Sequence, residues 1–238
     1  MNTHPRPVVL VHGAWHGAWC WATLQAELDR RGVPSYALDL PGHGASTLPL
    51  TDMYGDAQFV ADTLAALDTE VVLVGHSYGG TVITEAASRA GGITHLVYLT
   101  AFALDADESL LGFLASAPRL EVLLGSAVIP HDDGTSTLDP MLAPAALYGR
   151  CPEAAVRAAL PRLSPQSMVG FAQPVTGSPR SAVPSTYVEC TLDEAIHIEH
   201  QRAMSPRCDT VVTFATDHSP FISMVAETAD LLQAIAAS

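Results

Sequence analysis

An α/β fold built on a mostly parallel, doubly wound sheet is predicted by three observations on this chain. Short β-branched apolar runs alternate with stretches of helical spacing, the pattern of a parallel sheet with helices on both faces. One such run, Val71-Val72-Leu73-Val74, leads straight into Gly75-His76-Ser77-Tyr78-Gly79-Gly80, a G-x-S-x-G turn followed by the helix-compatible residues 81–89. The length, 238 residues, suits one α/β domain, and a chain of this size buries roughly 70–75% of its unfolded surface without staples.

The elements follow in order. Residues 7–11 are a continuous apolar run, a strand buried on both faces. Residues 18–31 carry Trp19, Leu24 and Leu28 at helical spacing and stop at Gly32. A strand is expected at 34–38, a helix at 56–67, a strand at 70–74, the helix after the turn, and a strand at 93–99. Residues 104–183 are Pro-, Ala- and Ser-rich and too long for a plain loop in a compact domain. They contain helix-compatible pieces at 109–115, 153–160 and 165–173, and read as a helical cap inserted between strands. Order resumes with a strand at 185–190, a helix near 196–204, a strand at 210–215 and a closing helix at 221–236. The expected division is therefore a core of 1–103 with 184–238, and a cap of 104–183.

Composition excludes several classes. Eleven basic residues against 25 acidic ones give a net charge of −14, which argues against nucleic acid or an anionic membrane as partner. No apolar run reaches the ~18–20 residues of a membrane span. Residues 1–7 hold no apolar segment of a secretory signal, so a cytoplasmic protein is expected. The four cysteines, Cys20, Cys151, Cys190 and Cys208, are scattered without a C-x-x-C pair, and are expected to be reduced. The dispersed histidines suggest neither zinc spacing nor any other metal site, and no cofactor is implied.

The turn after Val74 is where chemistry is expected. It forces Ser77 into a strained backbone conformation, of a kind that costs roughly 1–3 kcal/mol and persists only where the surroundings over-determine it. A side chain at 75 or 79 would crowd it. The serine hydroxyl is then held clear of the sheet at a helix N-terminus, where negative charge is favoured. On its own the motif would also fit a Gly-rich turn whose serine merely caps a helix.

In enzymes that use this turn, the serine's partners follow as an acid and then a histidine, each beyond a strand's C-terminal end. Asp193 sits just past the run 186–190, and His218 just past 211–215. An imidazole accepts the serine proton at neutral pH, and a carboxylate fixes its tautomer and stabilises the imidazolium. Glu194 and Asp217 are rival acids, though Asp217 adjoins His218 and is expected to point away. His197 and His200, at i, i+3 spacing, are expected on a helix surface. Two backbone N–H groups would form the oxyanion hole, those of Tyr78 and of Ala14 in His12-Gly13-Ala14-Trp15-His16-Gly17. His12 and His16 are expected to shape that loop, and Asp39-Leu40-Pro41-Gly42-His43-Gly44 to be a structural turn beside the site. Gly13, Trp15, Phe102, Leu110, Phe113 and Phe171 are candidate pocket walls.

With these segments in view, the chain resembles an α/β-hydrolase. More narrowly, it resembles the branch that holds plant methyl-salicylate-type methylesterases, hydroxynitrile lyases and their bacterial esterase relatives. The resemblance is strongest in residues 11–21, 39–44, 187–193 and 217–220 and weakest in the cap. It implies a six-stranded core lacking the first two strands of the full fold, a helical cap over a small apolar pocket, and frequent dimers. The lyases of that branch carry a lysine after the catalytic histidine and a threonine in the oxyanion loop; here Ser219 and Gly13 stand there. Without the ammonium, departing cyanide loses its electrostatic support.

The expected function is a serine carboxylester hydrolase acting on small, largely apolar aryl or alkyl esters, methyl esters among them. Ser77 is the nucleophile, His218 the base and Asp193 its partner, in a monomer or homodimer. The alternatives are the same triad turned to C–C cleavage, lactone opening or natural-product tailoring, and a non-catalytic ligand receptor on the same fold.

Overall fold

The computed structural model describes residues 5–238; residues 1–4 of the expected core lie outside the described residues. Six strands form one parallel sheet: β1 (Val8–Val11), β2 (Ser35–Leu38), β3 (Val71–Ser77), β4 (Ile93–Ala101), and, after a long insertion, β8 (Ser185–Cys190) and β9 (Thr210–Phe214). Their spatial order is β2-β1-β3-β4-β8-β9, and every pairing is parallel. The chain winds outward from β1 to β2, then returns to place β3 on the other side of β1. That reversal opens a crevice at the C-terminal ends of β1 and β3, and both the 12–17 loop and Ser77 lie there.

Because side chains alternate along a strand, the central strands feed two cores. Val9, Val11 and Leu73 face α2 (Met53–Leu67) and α3 (Gly79–Ala87) through Val60, Leu64, Val82 and Ile83. Val8, Leu10, Val72 and Val74 face α1 (Ala22–Arg30) and α11 (Val225–Ala237) through Leu24, Leu28 and Leu232. The expected helix at 18–31 begins as a 3₁₀ turn, Ala18–Trp21, before α1. The expected helix at 56–67 starts earlier, at Met53, because the Asp52 carboxylate accepts the Gly55 N–H and caps it.

The insertion holds α4 (Leu110–Ser116), α5 (Leu123–Ala127), β5 (Val128–Pro130), β6 (Thr135–Leu138), α6 (Ala143–Tyr148), α7 (Glu153–Ala159), β7 (Gln166–Ser167) and α8 (Val169–Ala172). It is therefore not purely helical. The strands β5, β6 and β7 form a small antiparallel sheet, and residues 165–173 are a two-residue strand and one helical turn rather than a helix. The β5–β6 turn passes through Gly134 at φ +80°, a conformation that suits glycine after Asp133.

After β8 come α9 (Ile198–Met204), then β9 and the single turn α10 (Pro220–Ser223). His200 is buried, not on the surface: its Nε2 lies 2.8 Å from the Pro118 carbonyl. Among the described residues no helix is long and apolar enough to cross a membrane, and no group of three or more His, Cys, Asp or Glu side chains is placed to hold a metal ion.

Candidate active site

Strand β3 ends in Ser77, whose φ of +53° is left-handed, a region that non-glycine residues rarely enter. The turn closes so tightly that a Cβ on Gly75 would come within 2.5 Å of the Gly79 carbonyl, and one on Gly79 within 2.7 Å of the Val11 and His12 carbonyls. Glycine at both positions lets β3, α3 and the 12–17 loop approach at backbone contact.

His218 follows β9. Its Nδ1 is 2.7 Å from Asp193 Oδ2, and both side chains are almost wholly buried. The carboxylate is held from several directions. Oδ1 accepts the backbone N–H groups of Ala195 (2.6 Å) and Ile196 (2.9 Å), while Oδ2 also accepts from Thr100 Oγ1 (2.5 Å) and Gln201 Nε2 (3.3 Å). With Asp193 accepting, Nδ1 carries the imidazole proton and Nε2 keeps its lone pair. Among the described residues Ser77 and His218 share no hydrogen bond.

Of the rival acids, Asp217 turns away. Its carboxylate accepts from the Arg150 backbone N–H (2.7 Å) and from Ser223 Oγ (2.7 Å). Glu194 is exposed.

The loop after β1 is fixed by its two histidines. Leu40 N–H donates to His12 Nε2 (3.1 Å), so the proton of this neutral ring sits on Nδ1 and is donated to the Gly13 carbonyl (2.8 Å). In a trans peptide C=O and N–H point opposite ways, so pinning Gly13 O turns the Ala14 N–H to the other side. His16 Nδ1 likewise holds the Ala14 carbonyl (2.8 Å), with Tyr148 Oη on Nε2 (2.7 Å). Burial keeps both rings uncharged: it drives His12 well below the usual imidazole range and His16 down to about 4. Among the described residues the backbone N–H groups of Ala14 and Tyr78 have no acceptor.

Ala14, Ser77 and Tyr78 open onto one cavity of about 280 Å³. Trp15, Phe102, Leu110 and Phe171, candidate walls in the sequence, line it together with Leu111, Leu114, Val122, Val128 and Met168 from the insertion. Two expected wall residues stand back. Gly13 packs behind Ser77, where a Cβ would come within 2.8 Å of Ser77 Cβ. Phe113 turns into the core, edge-on to Phe102 and His200 and beneath the Arg207 guanidinium. A larger groove of about 520 Å³ along residues 119–126 is open and contains no member of the Ser77, His218 and Asp193 set.

Three residues at the site escaped sequence reasoning. The His76 ring lies 4.5 Å from that of His218, and its Nε2 donates to the His218 carbonyl (2.8 Å). The Gln201 amide ties Asp193 to the Cys190 backbone. Thr100 reaches the acid from β4. None has a local signal, because each acts across the fold.

Comparison with known proteins gives a consistent picture. Methylesterase 1 of Arabidopsis thaliana is 30% identical over 253 residues, covering 96% of this chain and 95% of that protein. A carbendazim hydrolyzing esterase of Nocardioides sp. is 40% identical over 119 residues, 48% of this chain and 49% of its own. A crystal structure of a pyrethroid hydrolase from Sphingobium faniae superposes with a TM-score of 0.86 at 26% identity, covering 97% of both chains. Residues 8–231 match the alpha/beta hydrolase family as a whole, and with the sheet order, the strained serine turn and that span together, the chain belongs to this family.

Proposed function

We propose that the protein is a serine carboxylester hydrolase for small, uncharged esters, methyl and aryl esters among them. The observation that carries this reading is one cavity, walled almost entirely by apolar side chains, that brings Ser77 together with the two unpaired N–H groups of Ala14 and Tyr78. Ser77 Oγ attacks the ester carbonyl as His218 Nε2 takes its proton. The Ala14 and Tyr78 N–H groups receive the oxyanion, and removal of one such donor costs ~10²–10³ in turnover. His218 then returns the proton to the departing alcohol. Water, activated by the same imidazole, releases the acyl group. The Ser77–His218 contact tightens when substrate fills the site, as catalytic hydrogen bonds do.

The cavity limits the substrate. An engineered cavity of about 150 Å³ holds benzene, and drug-sized pockets begin near ~300 Å³; at about 280 Å³ the site suits an ester with one ring or a short alkyl chain. Among the described residues no charged side chain lines it, so an ionised substrate group would be desolvated without a partner. Similarity to a methylesterase and to a carbendazim hydrolyzing esterase supports an ester, methyl esters among them, as the substrate. Residues 104–183 act as the cap, supplying most of the outer wall. Ser136 on Trp15 Nε1 (3.1 Å), Gln166 on His43 (3.1 Å) and Tyr148 on His16 fasten it to the core.

The test is turnover of a short-chain aryl ester and of methyl esters by wild type and Ser77→Ala at pH 8. Hydrolysis lost only in the variant is expected. A folded wild type without turnover on any of these esters refutes the reading.

A further inference from the structure

We infer that Thr100 is a positioning residue for the acid of the site, a role that rests on the Ser77, His218 and Asp193 reading. From Val72 opposite His95, strands β3 and β4 pair residue for residue until His76 faces Leu99; the next pair is Ser77 with Ala101, so Thr100 is an extra residue in a bulge. Its φ is +39°, a left-handed conformation that is a genuine outlier for a β-branched side chain. Bulges of this kind re-aim a side chain next to active sites, and this one aims the buried hydroxyl inward.

The hydroxyl donates to Asp193 Oδ2 at 2.5 Å, on the same oxygen that receives His218 Nδ1 at 2.7 Å. The strain is held in place from both sides. Phe102 N–H donates to the Ser77 carbonyl (3.1 Å) and Tyr187 Oη to the Ala101 carbonyl (2.8 Å).

The acid turn does not need Thr100 to stay folded. Oδ1 already takes two backbone N–H groups, and Gln201 ties the turn to β8. What Thr100 adds is the second anchor that stops the carboxylate rotating, so that Oδ2 stays in the imidazole plane and His218 keeps Nε2 toward the serine. As a neutral donor to an almost wholly buried acceptor it also stabilises the carboxylate charge.

The test compares Thr100→Val, which keeps shape and β-branching, with Thr100→Ser, which keeps the hydroxyl. The readouts are kcat and KM on a short-chain aryl ester, the melting temperature, and the low-field Nδ1 proton resonance of His218. Outer-shell partners that orient a metal-ligating histidine contribute about 10–100-fold, and the same scale is applied here to a hydrogen-bonded imidazole. Thr100→Val is expected to lose kcat on that scale, with KM unchanged and the low-field resonance broadened or lost; Thr100→Ser is expected to recover both. Wild-type kcat in Thr100→Val overturns the role. So does a Thr100→Ser variant as impaired as Thr100→Val, which would assign the threonine to packing of the bulge. Should Thr100→Val not fold, Thr100→Ala against Thr100→Ser carries the same comparison. If the wild type hydrolyses no ester, the esterase reading fails by itself. The resonance needs no substrate and then decides Thr100 alone: its persistence in Thr100→Val overturns the inference.

Discussion

Asp56 offers a quantitative test of the electrostatics beneath the site. It lies in the first turn of α2, wholly buried, and its Oδ2 accepts the Tyr78 hydroxyl at 2.8 Å while Oδ1 has no partner among the described residues. Two influences favour the carboxylate: the helix N-terminus, at about 0.3–1 kcal/mol, and the tyrosine hydroxyl, at about 1.5–3 kcal/mol. Against them stands removal of an ion from water, which costs several kcal/mol even after relaxation. Burial wins, assisted by the nearby Asp52 charge, and Asp56 is pushed up from 3.8 to about 7. In the unfolded chain it ionises near 3.8; in the native protein it keeps its proton to about 7. Between those values folding takes up a proton, so this residue makes stability fall as pH rises and adds no slope above about 7. The gap of about three pH units, at about 1.4 kcal/mol each, amounts to about 4 kcal/mol. Asp56→Asn replaces a neutral carboxyl by its isostere at pH 4 and a buried anion at pH 8. Urea unfolding of both proteins from pH 4 to 8, plotted as their difference, cancels the groups they share. The variant should gain about 4 kcal/mol on the wild type, nearly all of it below pH 7. A flat difference, or a wild type that gains as pH rises, would show Asp56 ionised in the native state and refute the argument.

Other outcomes follow from the same geometry. Asp193→Asn should fold normally and lose ~10⁴ in kcat, because the amide stabilises the wrong imidazole tautomer; near-wild-type turnover would remove Asp193 from the mechanism. Gly79→Ala drives a methyl onto the carbonyls of Val11 and His12. Denaturation should show a loss of about 1–3 kcal/mol, with turnover falling as the oxyanion loop is displaced, whereas unchanged values for both would contradict the close approach. Burial holds the thiols of Cys20 and Cys190 well above their usual range and Cys208 at about 11, and Cys151 is raised too. A thiol reagent at pH 8 should therefore label the native protein slowly and all four cysteines only after unfolding; a fast stoichiometric burst would reveal an exposed thiolate.

The parts of the molecule legible in the sequence were those with local spacing. The six core strands are short apolar runs, and Ser77, Asp193 and His218 each stand just past one of them. The small sheet in the insertion does carry a signal, Asp132-Asp133-Gly134 between Val128-Ile129 and Thr135-Ser136-Thr137. Helix-compatible composition on both sides conceals it. Phe113 and Leu110 lie on one short helix and look equally suited to a pocket; which faces the cavity depends on how α4 sits against Phe102 and His200. Thr100 gives no warning at all, since its strain comes from a bulge that exists only once β3 and β4 are paired. His200 looked like a surface residue because the Pro118 carbonyl that covers it comes from 82 positions away.

The buried polar ties between the insertion and the core have a consequence for how such an enzyme changes its diet. Trp15 to Ser136, His43 to Gln166 and His16 to Tyr148 make the outer wall a fixed cup rather than a swinging door, with an aperture set by side-chain size. The cup's apolar lining comes largely from one contiguous stretch, between Leu110 and Phe171, whereas Ser77, Asp193 and His218 lie outside it. Exchanging a few lining residues within that stretch can redraw the outline of an acceptable guest while the proton relay stays as it was. On the proposed reading, selection rests largely on residues 110–171 and reaction on residues outside that stretch, with Ala14, Trp15, Phe102, Ala195 and Ile196 shared at the seam.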